Sequence, residues 1–422
     1  MTDPKRTLLR HPEFRKLWAG QTISQFGTQV TELALPLIAA SILDVSPFEF
    51  GLLATIEFLP FVLLSLPAGA WVDRLRRRPI LIAGDLGRAA VLISIPVAFA
   101  FDALTIWQLY AVAFLGGCLT VFFDVAYQSY LPTLVDREQL VEGNAKLETS
   151  RSAAQITGPG IAGVAIGGLG APLAIVLDAL SYLASALFVA GIRRPEPKPE
   201  RRVDTAGRHV PMRTEIAEGL RFVIRHPHLR SIAATTAAAN LFGNIAFSIL
   251  ILFLVRERAF TPELLGIAFS LGSVGFLVGA LSANRLAARF GVGPTIVGSQ
   301  LIGGPALLLV AIAPAELAFP FVAASGFLEG CAGAVYNINQ VSYRQAVCPE
   351  RMQGRMNATM RFIVWGTIPA ANLLGGFLGG TIGLHGTIWV GAILSLFAFV
   401  PVLLSPVRTI RRMPGPIEVE RA

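Results

Sequence analysis

Residues 48–78 read FEFGLLATIEFLPFVLLSLPAGAWVDRLRRR. The first part is one apolar run, long enough at roughly 20 residues to cross a bilayer as a helix. It stops on a dense group of arginines, Arg74, Arg76, Arg77 and Arg78. A helix that spans lipid and ends on basic residues keeps that end on the cytoplasmic side. This one stretch therefore predicts a membrane protein and fixes one point of its topology.

The rest of the chain repeats the pattern. Of 422 residues, 54% are hydrophobic and only 15% charged, against about 25% charged in a soluble protein. The excess apolar surface has to face lipid, where only structures with internally satisfied backbone persist. The 41 glycines and 27 prolines fall inside apolar runs, as in membrane helices. Twelve spans are predicted, near 14–42, 48–71, 79–101, 105–133, 146–169 and 171–192, then 230–255, 262–288, 293–314, 316–345, 355–383 and 385–405. The span near 146–169 starts polar, and the one near 355–383 is rich in glycine. The first apolar run has no short core with a cleavage pattern after it, so it is read as a retained first helix.

Lysine and arginine orient the set. Among the connections on one side, only Arg256 and Arg258 are basic. The N-terminus, the stretches near 73–78, 134–151, 193–230, 285–292 and 344–361, and the C-terminus hold the others. Both termini are therefore expected in the cytoplasm of a bacterial-type inner membrane. The formal charge of +8 is topological, and no compact basic domain exists to bind nucleic acid. The chain divides into a first half, 1–192, a cytoplasmic linker, 193–229, and a second half with a tail, 230–422. The linker opens Pro-rich and continues as an amphipathic helix with Ile216, Leu220 and Val223 on one face, suited to the membrane surface.

The halves repeat each other. His11-Pro12 before the first span recurs as His226-Pro227, and Pro47 and Gly51 recur as Pro262 and Gly266. Cys118, Tyr130 and Asn144-Ala145 recur as Cys331, Tyr343 and Asn357-Ala358. The offset stays near 213 residues. Six spans per repeat make the two copies parallel, an arrangement that puts a substrate site near the midplane.

With Gly69-Ala70-Trp71-Val72-Asp73-Arg74-Leu75-Arg76-Arg77-Arg78 in view, the chain resembles the major facilitator superfamily over nearly its whole length. This segment is similar to the superfamily's G-x-x-x-D-R-x-x-R-[RK] motif. Gly158-Pro159-Gly160-Ile161-Ala162-Gly163 in span five resembles the G-P-x-x-G-G element of drug exporters, with Ala162 in place of a glycine. The branch it most resembles includes macrolide efflux pumps and the enterobactin exporter. The resemblance implies an all-α fold of 12 transmembrane helices in two parallel six-helix halves. It implies a conformational latch at Gly69, Asp73, Arg74 and Arg78, with Gly69 admitting a close helix neighbour. It implies a kink at Gly158, Pro159 and Gly163. It also implies a cavity lined by spans one, four, seven and ten. Span four lacks the mid-helix arginine of proton exporters.

Polar residues on those spans fall at helical spacing. Span one carries Gln21, Gln25, Thr28 and Glu32. Span four carries Thr120, Asp124 and Tyr127 with Gln128. Span seven carries Thr236, Asn240 and Asn244. Span ten carries Glu329, Gly333, Tyr336 and Gln340 with Asn337. Spans nine and twelve carry almost nothing polar at mid-depth. A charge in a span costs several kcal/mol, roughly 2.5 to 3.5 for Asp on insertion scales, so Glu32, Glu57, Asp124 and Glu329 are candidates to carry protons along a water-filled path. Asp178 in span six falls on a helix expected to be peripheral. Asp85 and Arg88 at i, i+3 in span three read as a local ion pair. Phe58, Phe61 and Trp365 are candidates for apolar contact with substrate or for packing.

The predicted function is a secondary active exporter of amphipathic small molecules, driven by protons through a rocking of the halves. Uptake by symport or lipid movement is the alternative within transport. A membrane-embedded sensor or enzyme is the alternative from another class. The five histidines form no site at mid-membrane, and the three cysteines suit packing. No Walker motif is present. No metal, cofactor or catalytic residue is expected. The expected partners are a small-molecule substrate, protons and the bilayer, with the protein acting as a monomer.

Overall fold

The computed structural model describes Leu8, residues 11–72, 75–136, 139–194, Glu196 and 212–412. Among these residues the structure is helical, with no strand. The helices are α1 (Pro12–Leu37), α2 (Pro47–Val72), α3 (Arg77–Ala100), α4 (Ile106–Leu134), α5 (Leu140–Leu169), α6 (Ala171–Ala190), α7 (Met212–Arg225), α8 (Pro227–Arg258), α9 (Pro262–Phe290), α10 (Val292–Ile312), α11 (Ala318–Val347), α12 (Glu350–Trp365), α13 (Thr367–Ile382), α14 (Leu384–Ser395) and α15 (Val400–Leu403). Among the described residues, ten stretches are long and apolar enough to cross a membrane. α1 and α5 are as long as their neighbours but more polar, because they carry Gln21, Gln25 and Glu32, and Asn144 to Arg151. The eleventh predicted span is assembled from α12 and α13, with Gly366 between them.

Glycine makes three of the reversals. Gly170, Gly291 and Gly383 have φ of 81°, 94° and 81°, a left-handed conformation that other residues rarely adopt. α5 turns into α6, α9 into α10 and α13 into α14 at these single residues. Gly170 and Gly383 are repeat equivalents.

The chain forms two compact units. One comprises Met1–Val45, Ile56–Arg202 and Ala259–Ser270; the other comprises Ser46–Thr55, Val203–Arg258 and Leu271–Ala422. In the first unit, α1 packs on α6 and α5, and α3 on α6 and α4. In the second, α8 packs on α14 and α13, and α10 on α14 and α11. The pairs match one for one under the sequence repeat. The cores match too: Phe14 and Tyr130 are fully buried in the first unit, as are Leu229 and Tyr343 in the second.

The amphipathic helix lies at α7. It packs on α12 through Gly219, where a Cβ would come within 2.5 Å of Thr359 Oγ1, and through an Arg355–Glu218 ion pair. Val223 is buried, while Leu220 and Ile224 stay exposed, as suits a helix lying on a membrane surface. The side chain of Ile216 lies outside the described residues.

Candidate transport site

The second unit holds a cavity of about 430 Å³, within the range of small-molecule sites. α8 supplies Thr236, Asn240, Asn244 and Phe247, and α11 supplies Glu329, Tyr336 and Asn337. The polar groups are anchored. Tyr336 Oη and Thr236 Oγ1 share a 2.7 Å hydrogen bond. Asn240 Nδ2 donates to the Val364 carbonyl at 3.0 Å, and Asn244 Nδ2 to the Asn240 carbonyl at 2.8 Å. Glu329 keeps exposed surface on the cavity wall. It stands between Gly326 and Gly330, on a stretch of α11 against which α9 packs closely. A Cβ on Gly275 of α9 would lie 2.2 Å from the Phe327 carbonyl, and one on Gly330 of α11 would lie 2.3 Å from the Gly272 carbonyl. Small residues let the two backbones touch, which fixes the direction in which Glu329 projects.

Two expectations change here. Gln340 is buried outside the cavity wall and reaches it only through a 3.1 Å bond from its Nε2 to Asn337 Oδ1. α10 and the end of the α14 segment, expected to be apolar at this depth, contribute Ser299, Gln300 and Ser395 to the lining. Isolated serines and a single glutamine make no stripe, so periodicity alone passes over them.

In the first unit the α1 stripe splits. Gln21 is buried. Thr28, read as a cavity residue, is turned toward α6 and shares a 3.0 Å hydrogen bond with Tyr182 Oη. Gln25 is half-buried. Glu32 is exposed and accepts a 2.7 Å bond from Gln29 Nε2. Glu57 of α2, and Asp124 and Gln128 of α4, also keep exposed side chains, and Glu57 lies within electrostatic reach of Glu32. Tyr127 is half-buried and stacks on Phe123, with centroids 6.2 Å apart. Phe58 and Phe61 stack on each other, and the Trp365 ring is covered by the Arg361 guanidinium at 4.9 Å.

Of the latch residues, Asp73 and Arg74 lie outside the described residues. Among the described residues, a Cβ on Gly69 would meet nothing within 4 Å. Arg78 ties α3 to the end of α6, donating to the carbonyls of Val189 at 3.2 Å and Ala190 at 2.5 Å. Both carbonyls close the end of α6, where that of Val189 also accepts from the Ile192 amide at 3.1 Å, and a cation suits that end of the dipole. Glu196 does the reverse for α3, accepting from the backbone of Arg77 at 2.6 Å and Arg78 at 3.1 Å. In α5, Pro159 sits inside a continuous helix. A Cβ on Gly158 would strike Gln29 at 2.5 Å, and one on Gly163 the Pro262 carbonyl at 2.5 Å.

The sequence pattern of the transmembrane secretion effector family matches residues 6–414. The chain belongs to this family of major facilitator transporters. It is 29% identical over 398 residues to the multidrug efflux pump Tap of Mycolicibacterium fortuitum, covering 92% of this chain and 93% of the pump. It is 25% identical over 184 residues to macrolide efflux protein A of Streptococcus pyogenes, covering 44% and 45%. Among solved structures, a bacterial homologue of the iron transporter ferroportin in an inward-facing state superposes with a TM-score of 0.77 at 17% identity, over 94% of this chain and 99% of that one. The nucleoside transporter NupG superposes at 0.67 and 13% identity, over 93% and 99%. These likenesses give the major facilitator fold. The protein is a multi-pass membrane transporter of the major facilitator type, with efflux pumps among its relatives.

Proposed function

We propose that this transporter exports amphipathic small molecules, of drug, macrolide or siderophore character, in exchange for protons. The observation that carries the reading is Glu329 on the wall of a cavity that also presents three asparagine amides, a phenol and the Phe247 ring. Such a wall offers apolar area for affinity and a few fixed polar groups for orientation. A carboxyl in a site that opens alternately to two aqueous phases can carry a proton between them. Glu32, Glu57 and Asp124 are further carriers on the first unit. Substrate and proton would exchange as the halves rock, with both termini in the cytoplasm of an inner membrane and the chain working as a monomer.

The test is transport in proteoliposomes of defined orientation, under an imposed pH gradient, with a panel of fluorescent amphipathic cations and neutral compounds. Wild-type protein is expected to move at least one against its gradient. Glu329→Gln is expected to abolish gradient-driven movement while folding as wild type. Unchanged transport by that variant removes Glu329 from the mechanism, and accumulation in the opposite sense replaces export with uptake.

A further inference from the structure

Behind the exposed Glu32 lies a polar cluster that the transport site does not use. Asp178 of α6 is fully buried. It accepts a 2.5 Å bond from Thr31 Oγ1 and a 3.0 Å bond from Ser181 Oγ. Arg88 of α3 is buried between two aromatic faces, its guanidinium 4.1 Å from the ring centroids of both Phe123 and Tyr182. It pairs with the fully buried Asp85 at 2.5 Å. Helices α1, α3, α4 and α6 thus meet on one charged core.

Three features set this apart from a packing ion pair. The charges do not balance. Arg88 bonds Asp85, while Asp178 and Asp124 lie within its electrostatic reach. Arg151 of α5 pairs with Glu148 at 3.9 Å and acts toward the exposed Asp124 and Glu32, where Glu57 also faces. Among the described residues, Asp178 is therefore held by hydroxyls and lacks a bonded cation, a costly state for a buried carboxylate. Arg88 also has a donor to spare, because its buried Nε has no hydrogen-bond partner among the described residues. Finally, α1 is notched to admit the carboxyl. A Cβ on Gly27 would lie 2.1 Å from Ser181 Oγ and 2.5 Å from Asp178 Oδ1.

We propose that Asp178 is a second protonation site of this transporter, with Arg88 as its movable counter-ion. The acid holds its proton while Arg88 pairs with Asp85. When the O–H bond breaks, the proton passes to water on the Glu32 side of α1, and the new carboxylate draws the spare donor of Arg88. Thr28, bonded to Tyr182, and Thr31, bonded to Asp178, join this exchange to the helix that carries Glu32. The inference rests on the proton-coupled reading above.

The experiment pairs spectroscopy with transport on the full chain in lipid. Infrared difference spectra between about pH 5 and pH 8 are expected to show the C=O band of a buried carboxylic acid that titrates. Asp178→Asn is expected to delete that band. It is also expected to lower gradient-driven transport at least tenfold, leaving gradient-free exchange of the same fluorescent cation intact. Thr31→Val, which removes one donor and no charge, is expected to move the band's titration midpoint by about one pH unit. An unchanged band in Asp178→Asn overturns the proposal, as does full gradient-driven transport. If that variant does not fold, an unmoved midpoint in Thr31→Val overturns it. A wild-type protein that shows the band without any gradient-driven transport refutes the exporter reading and leaves the protonation of Asp178 established.

Discussion

Gly51 of α2 and Gly376 of α13 face each other so closely that a Cβ on Gly51 would stand 2.6 Å from the Cα of Gly376. The repeat equivalent behaves alike: a Cβ on Gly266 of α9 would stand 2.3 Å from the Pro159 carbonyl and 3.1 Å from the Gly163 Cα. Backbone atoms cannot yield as a flexible side chain does. Gly51→Ala and Gly266→Ala are each expected to cost about 1–3 kcal/mol, the usual penalty of overpacking. Gly69→Ala is expected to be nearly silent, since its Cβ meets open space. Thermal melts of the three purified variants check the ranking.

Glu196 and Arg78 hold the two ends of one strut. Glu196→Ala removes the acceptor for two N-terminal amides of α3 and is expected to lower stability by about 0.5–2 kcal/mol, as the loss of a helix cap does. Arg78→Ala removes the side-chain donor to two carbonyls at the end of α6, of which that of Val189 keeps the Ile192 amide, with an expected loss of about 1–3 kcal/mol. The double variant is expected to lose less than the sum, because both groups brace the same junction. A denaturation cycle on the four proteins measures the coupling.

Gly243 and Gly333 line the cavity, and among the described residues a Cβ on either meets nothing within 4 Å. Gly333→Val is therefore expected to keep the melting temperature of the wild type. It is expected to weaken binding of a bulky substrate roughly tenfold, corresponding to about 1.4 kcal/mol, and to spare a smaller one. Apparent affinities for a size series report the effect.

His226 precedes α8 and accepts a 3.4 Å bond from the Leu229 amide. Burial, with the neighbouring His228, holds its pKa below the ordinary 6.5. The folded chain therefore keeps this imidazole neutral at a pH where the unfolded chain already protonates it. Stability is full above about pH 6.5 and falls as pH drops toward the lower, folded value. His226→Asn retains an acceptor and is expected to flatten that slope. Melting temperatures from pH 5 to pH 7.5 give the comparison.

Hydropathy made the helices legible, since lipid leaves the backbone no other choice. It ranks α1 and α5 lowest because those helices trade apolar residues for polar ones. The stripe on α8 was legible because Thr236, Asn240 and Asn244 recur at helical spacing and all reach the cavity. The bond from Thr28 to α6 was not legible, because the period assigns a face of its own helix and says nothing about what α6 offers that face. Tyr182 offers a hydroxyl there. Glu196 left no local sign, being more than a hundred residues from the helix it caps. Asp178 was set aside as peripheral, and its meaning emerges only when Gly27, Thr31 and Arg88 are brought beside it.

The unit boundaries run through α2 and α9. The opening turns of α2, Ser46–Thr55, group with the second unit, and Ala259–Ser270, which opens α9, groups with the first. A gene severed in the linker would therefore yield two incomplete polypeptides, each carrying a segment that belongs to the other. Such fragments should complement when co-expressed and aggregate when made apart, and assembly of the whole protein would have to wait until α9 has left the ribosome.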